Sequence, residues 1–476
     1  MGAGRVSRGG EAALVGAAAA GLAVLVTWPL VLSLGDVAHD PFDPLFQAWT
    51  IDWVQHALGS SATIFDANTF RPNPRTLAYS DSLLGAAIVL LPLRWLGASP
   101  LALLNTGTLL GYASSAAAGY VFGRTVSSRP AVGALTGIAF AFGTYGAFLG
   151  QHMNILLHPG PALAGAAVWA VADRSATGRR AGLLLPALAA TVALQATISF
   201  YTAALTLVAA AAVGLARLTD LGRRGVLLVG AALAAGVVLV LPVAWPYLQN
   251  SRSLGAEFRW ELAEVGDSGA DFLAVDPRLT LWGESLGSSQ GLLGQPTFPG
   301  VALLALAAAG LLSGRRAAPA LCRTAIVLVV VGVVLGLGTS DEGWRQYSPY
   351  RLLYELVPGG AALRATGRFW LIGLLGVGLL AGLGVEAAGR WLAERLGGGR
   401  SVVLAGIGIL ATGAILVEGH GSWSDLPEAR RADVHRELAR RPDDEGVLYL
   451  PVPLDRSAAG LTLLNQASVV YGTTLH

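Results

Sequence analysis

The chain has 476 residues, of which 54% are hydrophobic and only 13% charged, with a mean hydropathy of +0.58. Soluble domains carry about 25% charged residues, so this composition excludes an ordinary soluble protein, and a net charge of +2 speaks against the clustered basic surface of a nucleic-acid binder. One cysteine, Cys322, excludes an internal disulfide, and no Cys/His spacing matches a structural zinc site.

In chain order, Arg5 and Arg8 precede an apolar run from Ala12 to Leu34. It is too long for the core of a signal peptide and is read as an uncleaved first span. Further spans are expected near 100–123, 131–150, 153–172, 181–198, 200–216, 225–248, 298–313, 323–338, 369–388 and 401–417, about eleven in all. The segment "SLLGAAIVLLPLRWLG", Ser82 to Gly97, is short and carries Pro92 and Arg94. If it crossed, every later loop would change sides. With it laid on the outer surface, the short inner loops hold 16 Arg against five acids, and the longer outer segments 16 Arg against 25. The positive-inside rule therefore favours the surface position.

The expectation is an all-α polytopic protein of the cell (cytoplasmic) membrane, with its amino terminus inside. Residues 1–417 form the transmembrane domain, with a first outer loop at 35–99, and 418–476 lie outside. That outer tail holds strand-like "GVLYLPVP" and a charged helix-like run, "PEARRADVHRELARRPDDEG". It reads as the start of a small α/β domain, truncated at "VVYGTTLH".

The stretch "HDPFDPLFQAWTIDWVQHAL", His39 to Leu58, follows the first span directly. Asp40 and Asp43 each precede a proline, the pattern of a helix entrance. Phe46, Trp49, Trp53 and Ala57 then fall on one side at helical spacing, and Asp52, Gln55 and His56 on another. This predicts an amphipathic surface helix with tryptophans at headgroup level. A plain structural reading makes Asp43 a cap and the tryptophans anchors. The concentration of Asp36, Asp40 and Asp43, with a long aromatic-rich loop behind them, favours an outward-facing site roofed by surface helices.

Other candidates lie on the same side. Arg364 and Arg368 in "ALRATGRFW" are spaced i, i+4, which on a helix would let both guanidinium groups fork around a phosphate; the alternative is snorkelling to lipid headgroups. His152 and His158 flank "MNILL" at an outer turn and could bind a sugar, assist a metal or simply sit at the interface. Tyr79 and Asp81 could bind acceptor hydroxyls or cap the second surface helix, a role open equally to Ser80. Glu257, Arg259, Glu261 and Glu264 alternate in sign, as a solvated face does.

In its architecture the chain resembles the multi-span GT-C glycosyltransferases, the superfamily of protein O-mannosyltransferases, oligosaccharyltransferase catalytic subunits and lipid A aminoarabinose transferases. "DPLFQAWTIDW", "IFDANTFRPNPRTLAYSD", "AFAFGTYGAFLGQHMNILLHP", "QPTFPG" and "LRATGRF" look like a bacterial family of GT-C-like membrane proteins, over nearly the whole chain. The resemblance implies an enzyme that moves a hexose or pentose, with inversion, from a polyprenyl-phosphate donor to a hydroxyl of a glycan, lipid or protein acceptor on the outer face. It carries the acid after the first span onto Asp43 or Asp40, as base or charge stabiliser. A divalent metal on Asp40 and Asp43 is left open. The chain departs from the superfamily in having no adjacent Asp-Glu pair there and no Trp-Trp-Asp signature, which speaks against peptide glycosylation. The competing functions are a transporter or flippase of a lipid-linked glycan, which would place ionisable groups at mid-membrane, and a non-catalytic partner in cell-envelope glycan synthesis.

Overall fold

The computed structural model describes residues 7–40, 43–70, 72–254, 262–267, 269–286, 295–357, 359–397, 399–421, 423 and 426–429. In chain order the α-helices are α1 (Arg8–Val26), α2 (Asp43–Leu58), α3 (Leu84–Trp95), α4 (Pro100–Val126), α5 (Pro130–Phe142), α6 (Thr144–Phe148), α7 (Met153–Leu156), α8 (Pro159–Ala176) and α9 (Leu184–Ile198). They continue as α10 (Phe200–Ala216), α11 (Leu218–Leu254), α12 (Leu262–Asp267), α13 (Gly283–Leu286), α14 (Val301–Ala317), α15 (Pro319–Gly336), α16 (Tyr350–Leu356), α17 (Trp370–Leu396) and α18 (Arg400–Glu418). Two short parallel strands, β1 (Ala270–Asp271) and β2 (Gln295–Pro296), are paired.

All eleven segments expected to cross are helical. Among the described residues, seven stretches are long and apolar enough for a bilayer: Gly9–Val26, Pro130–Gln151, Met153–Ala176, Leu218–Ser253, Pro319–Gly336, Thr366–Leu396 and Arg400–Glu418. The chain is an integral membrane protein of the all-α polytopic class. α9 and α10 are apolar but shorter, so length and composition alone account for fewer spans than the eleven expected.

α17 is the central post. It is buried from Trp370 to Gly389 along most of its length and packs against α5, α14 and α15. Small residues permit this approach, as is usual where helices associate without a hydrophobic drive from water. A methyl group on Gly310 of α14 would overlap the Leu380 carbonyl of α17, and one on Gly384 would overlap the Leu306 carbonyl. Gly310→Ala should therefore force the two helices apart and destabilise the protein by about 1–3 kcal/mol. Gly408→Ala on α18, where nothing lies within 4 Å, should leave thermal stability in detergent unchanged.

The helices alternate in direction, so the bundle has two chemically different ends. One holds the pairs Arg124–Glu11 (2.8 Å), Arg217–Asp173 (2.7 Å), Arg217–Asp220 (2.6 Å) and Arg400–Glu386 (3.6 Å). The first loop lies at the other. α3 stays there: Gly85 at its start meets Thr197 and Ile198 at the end of α9, and Ser99 just after it meets Gly35 beyond α1. It returns to the end from which it sets out, as expected of a segment that does not cross.

The structure corrects the expectation for α2. Both sides of this helix are buried, Trp49 and Trp53 included, and the tryptophans are not headgroup anchors. Trp49 Nε1 donates to Asn68 Oδ1 (3.3 Å) and Trp53 Nε1 to the Ile64 carbonyl (2.8 Å), so the first loop wraps the helix. Asp52 is fully buried and forms an ion pair with Arg94 of α3, which explains an arginine in an otherwise apolar segment. Removing the cation by Arg94→Met should lower stability by about 3 kcal/mol, because a buried carboxylate loses its counter-charge. The double variant Arg94→Met/Asp52→Leu should recover part of that loss in thermal unfolding.

Of the α/β tail expected over 418–476, the residues from 430 onward lie outside the described residues, as do Glu257, Arg259, Glu261 and the side chain of Glu264. The start of the run expected to be helical is instead extended: Ala38 N–H donates to the Pro427 carbonyl (3.1 Å) and Ala429 N–H to that of Asp36 (2.9 Å).

Candidate functional site

The expected spans 131–150 and 153–172 are not continuous helices. Gly143 ends α5, and Pro159, which lacks an amide hydrogen, starts α8. Between them the chain passes through α6, a 3-10 turn at Leu149–Gln151 and α7. This broken passage carries Tyr145, His152 and Asn154 to the end of the bundle where α2 begins.

Asp43 is the first residue of α2, and its carboxylate lies 3.0 Å from His152 Nε2. Its side chain is 58% exposed. Burial works to raise its pKa, but the hydrogen bond from His152 and the charges of His152, Arg368 and Arg364 outweigh it and hold Asp43 below the usual carboxylate range. Four of the residues singled out in the sequence thus converge here.

They do so by a different route from the one expected for the arginines. Arg364 and Arg368 do not share an α-helix: Arg364 lies in an irregular stretch between 3-10 turns at Gly360–Ala362 and Thr366–Phe369, and Arg368 lies in the second turn. Both remain close enough to act on Asp43. The Arg368 guanidinium lies 4.8 Å from the centre of the Tyr201 ring, at the start of α10. On the β2 side, Gly367 allows close approach of Gln295, whose Oε1 accepts a hydrogen bond from Tyr145 (2.7 Å).

Asp81 joins three elements at the floor of this region. It accepts from Asn154 Nδ2 (2.8 Å), Ser199 Oγ (2.7 Å) and the Phe200 amide (3.2 Å). It therefore caps α10, not α3. Burial raises its pKa despite these bonds and the influence of Arg368. The first loop is also latched to α11, since Asn250 Nδ2 donates to the Arg75 carbonyl (3.0 Å) and Tyr247 Oη to that of Ser80 (2.8 Å).

The remaining candidates are placed elsewhere. Asp40 faces His39 (3.6 Å) and acts on Arg278. Burial disfavours the charge of Arg278, but its pairing with Asp276 (2.7 Å), reinforced by Asp40, more than compensates. His158 is wholly buried, with Nδ1 2.8 Å from the Ile155 carbonyl and Nε2 3.2 Å from that of Phe140; it is a core residue with no face toward the cleft. Tyr79 is half-buried against Phe70, the ring centres 5.7 Å apart.

Asp43 faces His152 and Asp40 faces His39. Among the described residues no group of three or more His, Cys, Asp or Glu could hold a metal ion. The cations nearest Asp43 would repel a divalent ion, and the residues present do not fit one.

Tyr145, Asn154, Ser199, Tyr201 and Gln295 escaped the sequence reading. They sit inside or beside apolar runs, and only the interruptions "GTYG", "HMN", "ISFYT" and "QPTFPG" mark them.

No protein-family model matches the chain, and no curated protein does. Among solved structures it is similar to the archaeal oligosaccharyltransferase AglB from Archaeoglobus fulgidus, determined in complex with an inhibitory peptide and a dolichol-phosphate. The identity is 14% and the TM-score 0.47, over 91% of this chain and 58% of that one. The chain thus spans a little over half the length of that protein.

Proposed function

We propose that this chain is a membrane glycosyltransferase that moves a sugar from a polyprenyl-phosphate donor to an acceptor hydroxyl at the outer face. The observation that carries the reading is Asp43, in contact with His152 and within electrostatic reach of Arg364 and Arg368, at the end of the bundle away from the arginine-rich ion pairs. A site for this chemistry needs an anion partner for the leaving phosphate beside a carboxylate for the reacting centre, and these residues supply both kinds of charge.

In the proposed step the acceptor oxygen bonds to the anomeric carbon as the bond from that carbon to the phosphate oxygen breaks. The lipid phosphate leaves with the electron pair, and Arg364 and Arg368 stabilise its charge. The anomeric carbon passes through an oxocarbenium-like state, for which ionised Asp43 is a fixed negative neighbour. The hydroxyl proton moves toward Asp43. With its low pKa, Asp43 is a better orienting and charge-stabilising group than a strong base, and His152 fixes its direction.

Proteoliposomes given a radiolabelled polyprenyl-phosphate sugar should transfer label to acceptor with the wild-type chain and not with Asp43→Asn. Movement of the intact lipid-linked sugar across the bilayer without transfer would overturn the reading in favour of transport.

The reading also requires the cleft to face outward. With Cys322→Ser as background, a cysteine at Ser60 should react with an impermeant reagent in intact cells. Cysteines at Ser128 and Thr177 should react only after permeabilisation, and the reverse pattern would put the site on the cytoplasmic side.

A further inference from the structure

The buried Arg217 and the half-buried Arg94 and Arg124 each pair with a carboxylate. Arg368 does not: among the described residues it has no ion pair, and its buried Nε has no hydrogen-bond acceptor. The carboxylates it influences are engaged elsewhere, Asp43 with His152 and Asp81 with Asn154, Ser199 and the Phe200 amide. What holds the cation is the face of Tyr201, an arrangement favourable when partly desolvated. Tyr201 is 8% exposed, its hydroxyl is likewise buried without a partner, and it lies within electrostatic reach of both Arg364 and Arg368.

Buried polar groups are rarely left unpaired. Here the Nε–H can only donate and the phenol can donate, beside a cation that has no counter-ion among the described residues. The group that completes them is an acceptor carrying negative charge. Resting on the lipid-phosphate reading above, we infer that Tyr201 is a phosphate-binding residue of the donor site, its ring positioning Arg368 and its hydroxyl donating to the phosphate that Arg368 pairs with.

The test is binding of farnesyl phosphate to the full chain in detergent, with farnesol, inorganic phosphate and phosphatidylglycerol as comparisons. Wild type should prefer farnesyl phosphate to all three. Tyr201→Phe keeps the ring and removes the donor; it should raise the Kd for farnesyl phosphate about tenfold and leave farnesol binding and thermal unfolding unchanged. Tyr201→Leu removes the ring as well and should weaken binding to the level of Arg368→Ala, and the double variant should be no weaker than Arg368→Ala alone.

Wild-type affinity in Tyr201→Phe would overturn the inference about the hydroxyl while leaving the donor reading in place. A wild-type chain that binds farnesol as well as farnesyl phosphate would overturn the donor reading, and this inference with it. Equal preference for phosphatidylglycerol or inorganic phosphate would make Arg368 a general anion or headgroup anchor and overturn the inference too.

Discussion

Asp43→Asn should reduce sugar transfer by about 10² or more while expression and thermal stability stay near wild type. Asparagine is as good at a helix start as aspartate and can still accept a hydrogen bond from His152, but it carries no charge and takes no proton. The stability effect is small because the carboxylate is more than half exposed and solvent screens its ion pairs. Its sign is fixed: the folded pKa lies below the ordinary value, so the stabilisation is present above the unfolded pKa and is lost as pH falls through the folded one. For the same reason Asp43 should impose no acidic limb on the transfer profile above about pH 5. Asp40→Asn should have a smaller effect, since Asp40 faces His39 and acts on Arg278. Transfer at the wild-type rate by Asp43→Asn would remove the carboxylate from the mechanism.

Arg368→Ala should raise the apparent Kd for the polyprenyl-phosphate donor about tenfold or more, the loss of roughly 1.5–3 kcal/mol expected for a charge-assisted hydrogen bond. The fold should survive, because the guanidinium meets an aromatic face and no carboxylate within the described residues. Arg364→Ala should act in the same direction. Lysine at either position should restore only part of the affinity, since an ammonium is a point charge without a planar fork. Donor binding as in wild type by both alanine variants would make the two arginines lipid anchors.

Much of the architecture is legible in the residues. Runs of Ala, Leu, Val and Gly set the helical segments, and each expected span is helical, although 131–150 and 153–172 are broken. Pro92 and Arg94 marked the segment at 82–97 as different, and it does double back at one end of the bundle. The site was legible in part. Asp43, Arg364, Arg368 and His152 stood out because charge and imidazole are rare in such a chain, and the structure puts Asp43 within electrostatic reach of the other three.

The sequence alone determined the membrane class, the asymmetry of charge between the two sets of loops, and the concentration of acid after the first apolar run, since each is a property of composition along the chain. Tertiary structure decided which of the near-equivalent residues share a cleft. It turned Asp43 and Asp40 to different partners, put His152 at the cleft and His158 in the core, and brought Tyr201 beneath Arg368. It also buried Trp49 and Trp53, which periodicity had assigned to the headgroups. The reason is physical. An apolar face has the same pattern whether it meets lipid or another helix, and a polar group in an apolar run shows its purpose only through its partner. For Asp52 that partner is Arg94, and for Asp81 it is the start of α10, pairings set by how helices pack and not by local spacing.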